Sequence, residues 1–466
     1  MMFEILDRDA AGRIGRWAFG SHKITTPEIA IVVNPNKMTI EPKELKKEFG
    51  AQIIITNAYI IKRSDTFKDI SSRGLHKHFK WTGPIYTDSG TYQMHSRGHV
   101  QILPEETLKI QKAIGSDIIT PLDVFTEPSS SHGDALNAVN ETAQRVNMAR
   151  EHVKEQQLVG PIQGGLYPDL RKLSAEATAK ANPDVFAIGG IVPLMEQYRF
   201  RELIEVIIAC KSVVPSNRPV HAFGAGHPMV FSLLVACGVD IFDSAAYALY
   251  ARDGRYMTPY GTLKVDELVD LPCECPVCSS HTPRELDVNL IARHNLYVTF
   301  AEIKRIHQAI RAGRLWNLVE HRAHTNPALY HAYKTMVSKY TFFEKKECMT
   351  KKQPFLYFEK TSLRNPYVRR ALNRAAKIKT KQHFLWYSKK IPDGLCIRHP
   401  FSSSIPAGEQ NRTFSHTEPR ELVRCALQFQ YGEKADGVLS KNSHMEVSKK
   451  TGRVRRAFEQ DKLLGT

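Results

Sequence analysis

Eight short apolar runs recur through the first 245 residues, and each stops on a small or polar residue. They are IAIVV before Asn34, QIIIT before Asn57, PIYT before Asp88 and DIITPL before Asp123. LVGPI before Gln163, VFAI before Gly189, VHAF before Gly224 and VDIF before Asp243 complete the series. Helix-like segments such as PEETLKIQKAIG and RFRELIEVIIACKSV lie between most of them. Strands that read as continuous apolar runs are buried on both faces, and strand–helix alternation makes a parallel sheet. Eight such units over this length predict a (β/α)₈ TIM barrel, with a doubly wound open sheet as the alternative.

In a barrel of this kind the chemistry sits at the C-terminal strand ends. Those ends carry Asp88, Asp123, Gln163, Gly189, Gly190 and Asp243. A single Asp or Gly there reads as a turn. Three acids, an amide and a Gly pair on one rim predict a polar pocket. No GxxxxGK[ST] phosphate loop is present, and GAGHP is too short for a dinucleotide fingerprint, so neither ATP nor NAD is implied.

Past the last run, PCECPVC supplies Cys273, Cys275 and Cys278, and RHNLY supplies His294. Three thiolates and one imidazole form a closed tetrahedral set for a structural zinc ion, with no open position for a reactive water. His281 is the competing fourth ligand, and a redox dithiol is the competing use of the thiols. The remaining cysteines, Cys210, Cys237, Cys348, Cys396 and Cys425, are scattered and read as packing residues. The segment from residue 296 to about 322 has helical apolar spacing and is expected to cap the barrel, carrying Trp316 and Leu318 into its core.

The chain has 466 residues and a formal net charge of +17. Much of that excess falls in residues 342–390, where 14 Lys/Arg stand against 3 Asp/Glu. Phe355, Tyr357, Phe358, Tyr367, Phe384, Trp386 and Tyr387 are interleaved with them. Cations for phosphates beside rings for bases predict contact with nucleic acid; the competing use is a solvated basic face. The charged N-terminus lacks the apolar core of a secretory signal, and no apolar run is long enough to span a membrane. Cysteine usage fits no disulfide framework, so a cytoplasmic protein is expected.

Several motifs taken together, TDSGTYQMHSRG, GPIQGGLYPDLR, FAIGGIVPLME, FGAGHP, VDIFDSAAYALYARDGRYMTPYGT and CxCxxC followed by HNLY, resemble the tRNA-guanine transglycosylases. FDSAAYALYARDGRYMTP and PCECPVC look like the archaeal branch, which works in archaeosine biosynthesis. The resemblance covers nearly the whole chain and implies a pentosyltransferase. Guanine at position 15 of tRNA would be exchanged for 7-cyano-7-deazaguanine (preQ0) without cutting the backbone. By motif match Asp243 is the nucleophile, forming an aspartyl-ribose intermediate, and Asp88 is the acid/base residue. Asp123, Gln163, Gly189 and Gly190 match base-binding positions, and Ile191 and Val192 lie where a nitrile needs an apolar pocket. The resemblance also implies a homodimer. Two alternatives are an archaeosine synthase-like paralogue and a non-catalytic tRNA-binding subunit; neither needs both Asp88 and Asp243.

The expected organisation is a catalytic barrel with its zinc site over 1–330, a basic RNA-contacting domain over 335–398 and a further domain over 415–466. The last segment resembles the first strands of a PUA domain, so a split protein with its PUA half on another chain, or a truncation, is expected. Thr91 departs from the Ser or Gly that relatives often carry in DSGTYQ.

Overall fold

The structure is a computed structural model that describes residues 2–92, 103–347 and 360–370, with short strands at 384–387, 397–399, 402–405 and 437–440. It begins with an antiparallel sheet of β1 (Met2–Asp9), β2 (Gly12–Phe19) and β3 (His22–Thr26). Eight parallel strands follow: β4 (Glu28–Val32), β5 (Ile54–Asn57), β6 (Ile85–Asp88), β7 (Ile118–Ile119), β8 (Gln157–Ile162), β9 (Val185–Ile188), β10 (Val220–Ala222) and β11 (Ile241–Ser244). Each pairs with the next, and β11 returns to β4 through Ile241↔Glu28 and Asp243↔Ala30. The barrel is closed, which settles the choice against the open sheet. Every expected run supplies one strand.

The helices between strands start where the sequence can start them. Pro occupies the first turn of Pro104–Ala113, Pro168–Ala179 and Pro228–Ala236, where its missing N–H costs nothing. Ser131 caps His132–His152 by accepting from the Asp134 N–H at 3.1 Å. Closing the barrel buries Ala30, Ile55, Tyr86, Ile118, Val159, Val185, Ala187 and Ile241 in one cluster. Phe3, Trp17, Phe19 and Ile24 from the N-terminal sheet join it. That sheet was not anticipated, and it covers the end of the barrel opposite the mouth. Its Arg13 makes two 2.7 Å bonds to Asp240, just before β11, with both side chains buried.

After β11 the chain forms a hairpin, β12 (Arg255–Thr258) with β13 (Gly261–Lys264), and then a 25-residue helix, Val288–Ala312. The described chain divides into two compact units: Met1–Arg311 with Leu318–Met336, and Ala312–Asn317 with Val337–Thr466. Trp316 falls in the second unit, where its ring meets Phe343 edge-on at 5.1 Å. Trp316 is buried, and Gly313, at a φ of 69°, interrupts the helix before it. Most of the basic stretch 342–390, including Phe355, Tyr357 and Phe358, lies outside the described residues, as does nearly all of 415–466. No described helix is long and apolar enough to cross a membrane.

Candidate active site and metal centre

The strand ends open onto a cavity of about 540 Å³. Asp88, Asp123, Gln163, Gly189, Gly190, Val192 and Asp243 all line it. Ile191, one residue away from Val192, is fully buried and is not part of the lining. Parallel pairing does the gathering. Asn57 lies opposite Asp88 across β5 and β6, and its Nδ2 donates to Asp88 Oδ2 at 2.8 Å.

Burial is the largest influence on Asp88 and raises its pKa to about 7, and the nearby Asp123 and Asp243 carboxylates add to the effect. Bonds from Asn57 and the Gly90 backbone oppose it. Burial also raises Asp123, against hydrogen bonds from Thr91 and Gln163. Gln163 Nε2 donates to Asp123 Oδ2 at 2.6 Å, and Gln163 Oε1 accepts from Thr126 Oγ1 at 2.8 Å. The amide is thus oriented, and among the described residues no acceptor takes its second N–H. Asp243 Oδ1 accepts from the Gly224 N–H at 2.7 Å and bonds His221 Nε2 at 2.9 Å.

Glycine is required at two of these turns. Gly190 has a φ of 69°, and a Cβ there would stand 2.9 Å from Thr126 O and 3.0 Å from Gln163 Oε1. Gly224, with a φ of 72°, would drive a Cβ to 2.3 Å from Val192 Cγ2 while its N–H holds the Asp243 carboxylate. The Gly189 N–H is taken by Ile162 O at 3.0 Å, so the N–H that this pair has to offer a base is that of Gly190.

Sequence reasoning missed the groups behind this rim. Arg171, fully buried, bonds Gly165 O, Ile162 O and Gly189 O at 2.8–2.9 Å and so braces the base-side loops. Tyr92 meets Phe125 edge-on at 5.6 Å, and both rings line the cavity with Phe223. His227 also lines it, but burial and Arg255 push its pKa down to about 3, and its Nδ1 caps a helix by accepting from Met229 N at 3.2 Å. A polar His221 inside the apolar run VHAF was the available signal for the group behind Asp243.

The metal centre is separate and local. One ligand atom each from Cys273, Cys275, Cys278 and His294 lies within 4.8 Å of the others. His294 Nδ1 is 3.2 Å from Cys278 Sγ, while its Nε2–H donates to Met257 O at 2.9 Å. That outer bond turns the Nδ1 lone pair toward the sulfurs, as a metal-binding imidazole requires. Tyr256 adds a 3.2 Å hydroxyl contact to Cys278 Sγ and stacks on the His294 ring at 3.5 Å. His281 is committed elsewhere, its Nδ1 bonding Val277 O at 2.9 Å. Three sulfurs and one nitrogen, mostly shielded from water, suit a thiophilic ion in a closed shell. Of the cysteines read as packing residues, Cys210 and Cys237 are buried; Cys348, Cys396 and Cys425 lie outside the described residues.

A closed α/β barrel with three carboxylates converging on a cavity at its mouth, and a Cys3His cluster apart from them that could hold a metal ion, defines a barrel enzyme suited to nucleophilic and acid–base chemistry. Comparison with known proteins narrows the class. A family model described as queuine tRNA-ribosyltransferase matches residues 7–328. The chain is similar to a tRNA-guanine(15) transglycosylase of Thermococcus onnurineus, 42% identical over 480 residues that take in all of this chain and 82% of that protein. A Pyrococcus abyssi protein of the same name is 42% identical over 484 residues, covering all of this chain and 81% of its own. One from Methanosarcina barkeri is 46% identical over 357 residues, 75% of this chain and 73% of that protein. The chain belongs to the queuine tRNA-ribosyltransferase family.

Proposed function

We propose that this chain exchanges guanine at position 15 of tRNA for 7-cyano-7-deazaguanine, the step that commits a tRNA to archaeosine. The observation that carries the mechanism is the pairing of Asp243 and Asp88 over one cavity, with Asp88 pushed up to about 7. The family and its tRNA-guanine(15) transglycosylase relatives support the reaction class.

In the first half-reaction Asp243 attacks ribose C1′. The C1′–N9 bond breaks, its electron pair goes to the base, and protonated Asp88 supplies the proton that lets neutral guanine leave. The result is an aspartyl-ribose ester with retained backbone, following the two-step logic of retaining glycosidases. In the second half the incoming base gives its ring proton to the Asp88 carboxylate and attacks C1′, and the electron pair of the C1′–O bond returns to Asp243. Asp88 ends protonated, ready for another cycle. Asp123 accepts from the N–H edge of the base, and Gln163 donates its second N–H to the carbonyl. Val192 contributes the apolar wall beside the nitrile. The target base must leave its stack to enter a cavity of this depth.

Cys273, Cys275, Cys278 and His294 would hold a zinc ion as a structural tie between the loop after β13 and the helix Val288–Ala312. Zinc bound by these four groups would supply cohesion rather than a reactive water. A cytoplasmic homodimer follows from the same family reading, and light scattering of the purified chain tests it. The exchange itself is tested in single turnover with tRNA radiolabelled at guanine 15, adding 7-cyano-7-deazaguanine to the wild type and to Asp243→Ala. Release of label by the wild type alone supports the mechanism; release by both removes Asp243 from it.

A further inference from the structure

The two oxygens of Asp243 are not equivalent. Both donors fall on Oδ1, the Gly224 N–H at 2.7 Å and His221 Nε2 at 2.9 Å, and among the described residues no donor falls on Oδ2. His221 is fully buried inside β10. Its other nitrogen, Nδ1, is 3.3 Å from the Tyr86 hydroxyl, and the two rings meet edge-on at 5.3 Å. Tyr86 is also fully buried, and burial together with the Asp243 and Asp88 charges holds its pKa well above the ordinary phenol value. Its hydroxyl keeps its proton, and the 3.3 Å spacing lets it donate that proton to His221 Nδ1 while the Asp243 carboxylate, an acceptor, takes the Nε2–H. A ring that accepts at Nδ1 carries its hydrogen on Nε2, and that N–H points at Asp243.

We propose that His221, locked in this tautomer by Tyr86, is a positioning residue that pins Asp243 Oδ1 and leaves Oδ2 as the attacking oxygen. The inference rests on Asp243 being the nucleophile. In the ester Oδ2 bridges to C1′, and Oδ1 becomes the carbonyl oxygen under the same two donors. When the incoming base attacks, the C1′–Oδ2 bond breaks and its electron pair returns to the carboxylate, so negative charge grows on Oδ1 as well. Donors already aimed there stabilise that departure without reorganising. The cost of losing His221 therefore falls mainly on discharge of the ester. Attack is spared in part, because a carboxylate with one donor fewer is the stronger nucleophile.

The test separates the half-reactions. Full-length enzyme is mixed with tRNA alone, and the covalent tRNA–protein species is followed on denaturing gels; 7-cyano-7-deazaguanine is then added to measure discharge. For His221→Ala, discharge is expected to slow roughly 10- to 100-fold, the weight of one hydrogen bond to a charged group. The ester should accumulate during turnover, with KM for tRNA unchanged. His221→Gln, which keeps an N–H near the Nε2 position, should recover part of the rate, and Tyr86→Phe should fall between wild type and His221→Ala. Discharge at the wild-type rate in His221→Ala overturns the inference, as does equal loss in His221→Ala and His221→Gln. Should His221→Ala melt before the assay temperature, the Gln and Phe variants carry the test: wild-type discharge in Tyr86→Phe then overturns it. Failure of the wild type itself to form the ester counts against Asp243 as nucleophile, a separate and recognisable outcome.

Discussion

Two carboxyl groups at opposite ends of this barrel carry the same pKa, about 7, for different reasons. Glu28 begins β4 at the closed end, 3% exposed, and burial alone raises it against bonds from the Ile29 N–H and Gln52. Asp88 ends β6 at the mouth, and two further acids, Asp123 and Asp243, add to what burial does. Glu28 faces protein, whereas Asp88 faces the cavity. The contrast teaches that a raised pKa marks an interior carboxyl, and that access to a ligand is what makes such a carboxyl a candidate for catalysis.

The comparison is sharpened most by Asp243→Ala, which should reduce base exchange by roughly 10³-fold or more while leaving the melting curve close to wild type. A surviving rate near wild type would move the chemistry away from the mouth. Next in size, Asp88→Asn should slow guanine release by roughly 10²- to 10⁴-fold, the range for a lost general acid. In the wild type, single-turnover release should fall as pH rises through about 7, since Asp88 must hold its proton to give it away. A flat profile up to pH 9 would remove Asp88 from that role.

The metal cluster is a third region and should behave unlike either end. Cys278→Ala, or prolonged chelation, should release about one zinc per chain and lower the Tm by several degrees, because metal binding contributes directly to folding. Elemental analysis beside calorimetry checks this. Unchanged stability on loss of zinc would contradict a structural tie.

The smallest effect belongs to Glu28→Gln, which should leave turnover unchanged. Folded Glu28 keeps its proton between 4.5 and about 7, where the unfolded carboxyl has lost it. Its stabilisation is thus full below pH 4.5 and is lost as pH rises through about 7. The Gln variant should therefore melt a few degrees above wild type at pH 8, with the gain vanishing toward pH 4.5. A lost exchange activity in this variant would break the division between the two ends.

Much of this was legible in one dimension. The eight apolar runs and their polar terminators sit in the chain as strands and strand ends, since a strand buried on both faces has no room for polar residues until it reaches solvent. The Cys–His set was legible because three of its members are within six residues and its fourth is on the next helix. The N-terminal sheet and the choice of Val192 over Ile191 for the cavity were not. Each depends on where the backbone turns, and periodicity alone does not say which side of a strand end faces a ligand.

Composition and order, then, determined the barrel, its rim of acids and the metal cluster, all properties of local pattern. Tertiary structure decided what those acids do. His221 meets Tyr86 across 135 residues and Asp243 across 22, and Gln163 meets Asp123 across 40. Desolvation and charge repulsion depend on distance in space, so only closure of the barrel raised the pKa of one carboxyl and held its neighbour by a single oxygen.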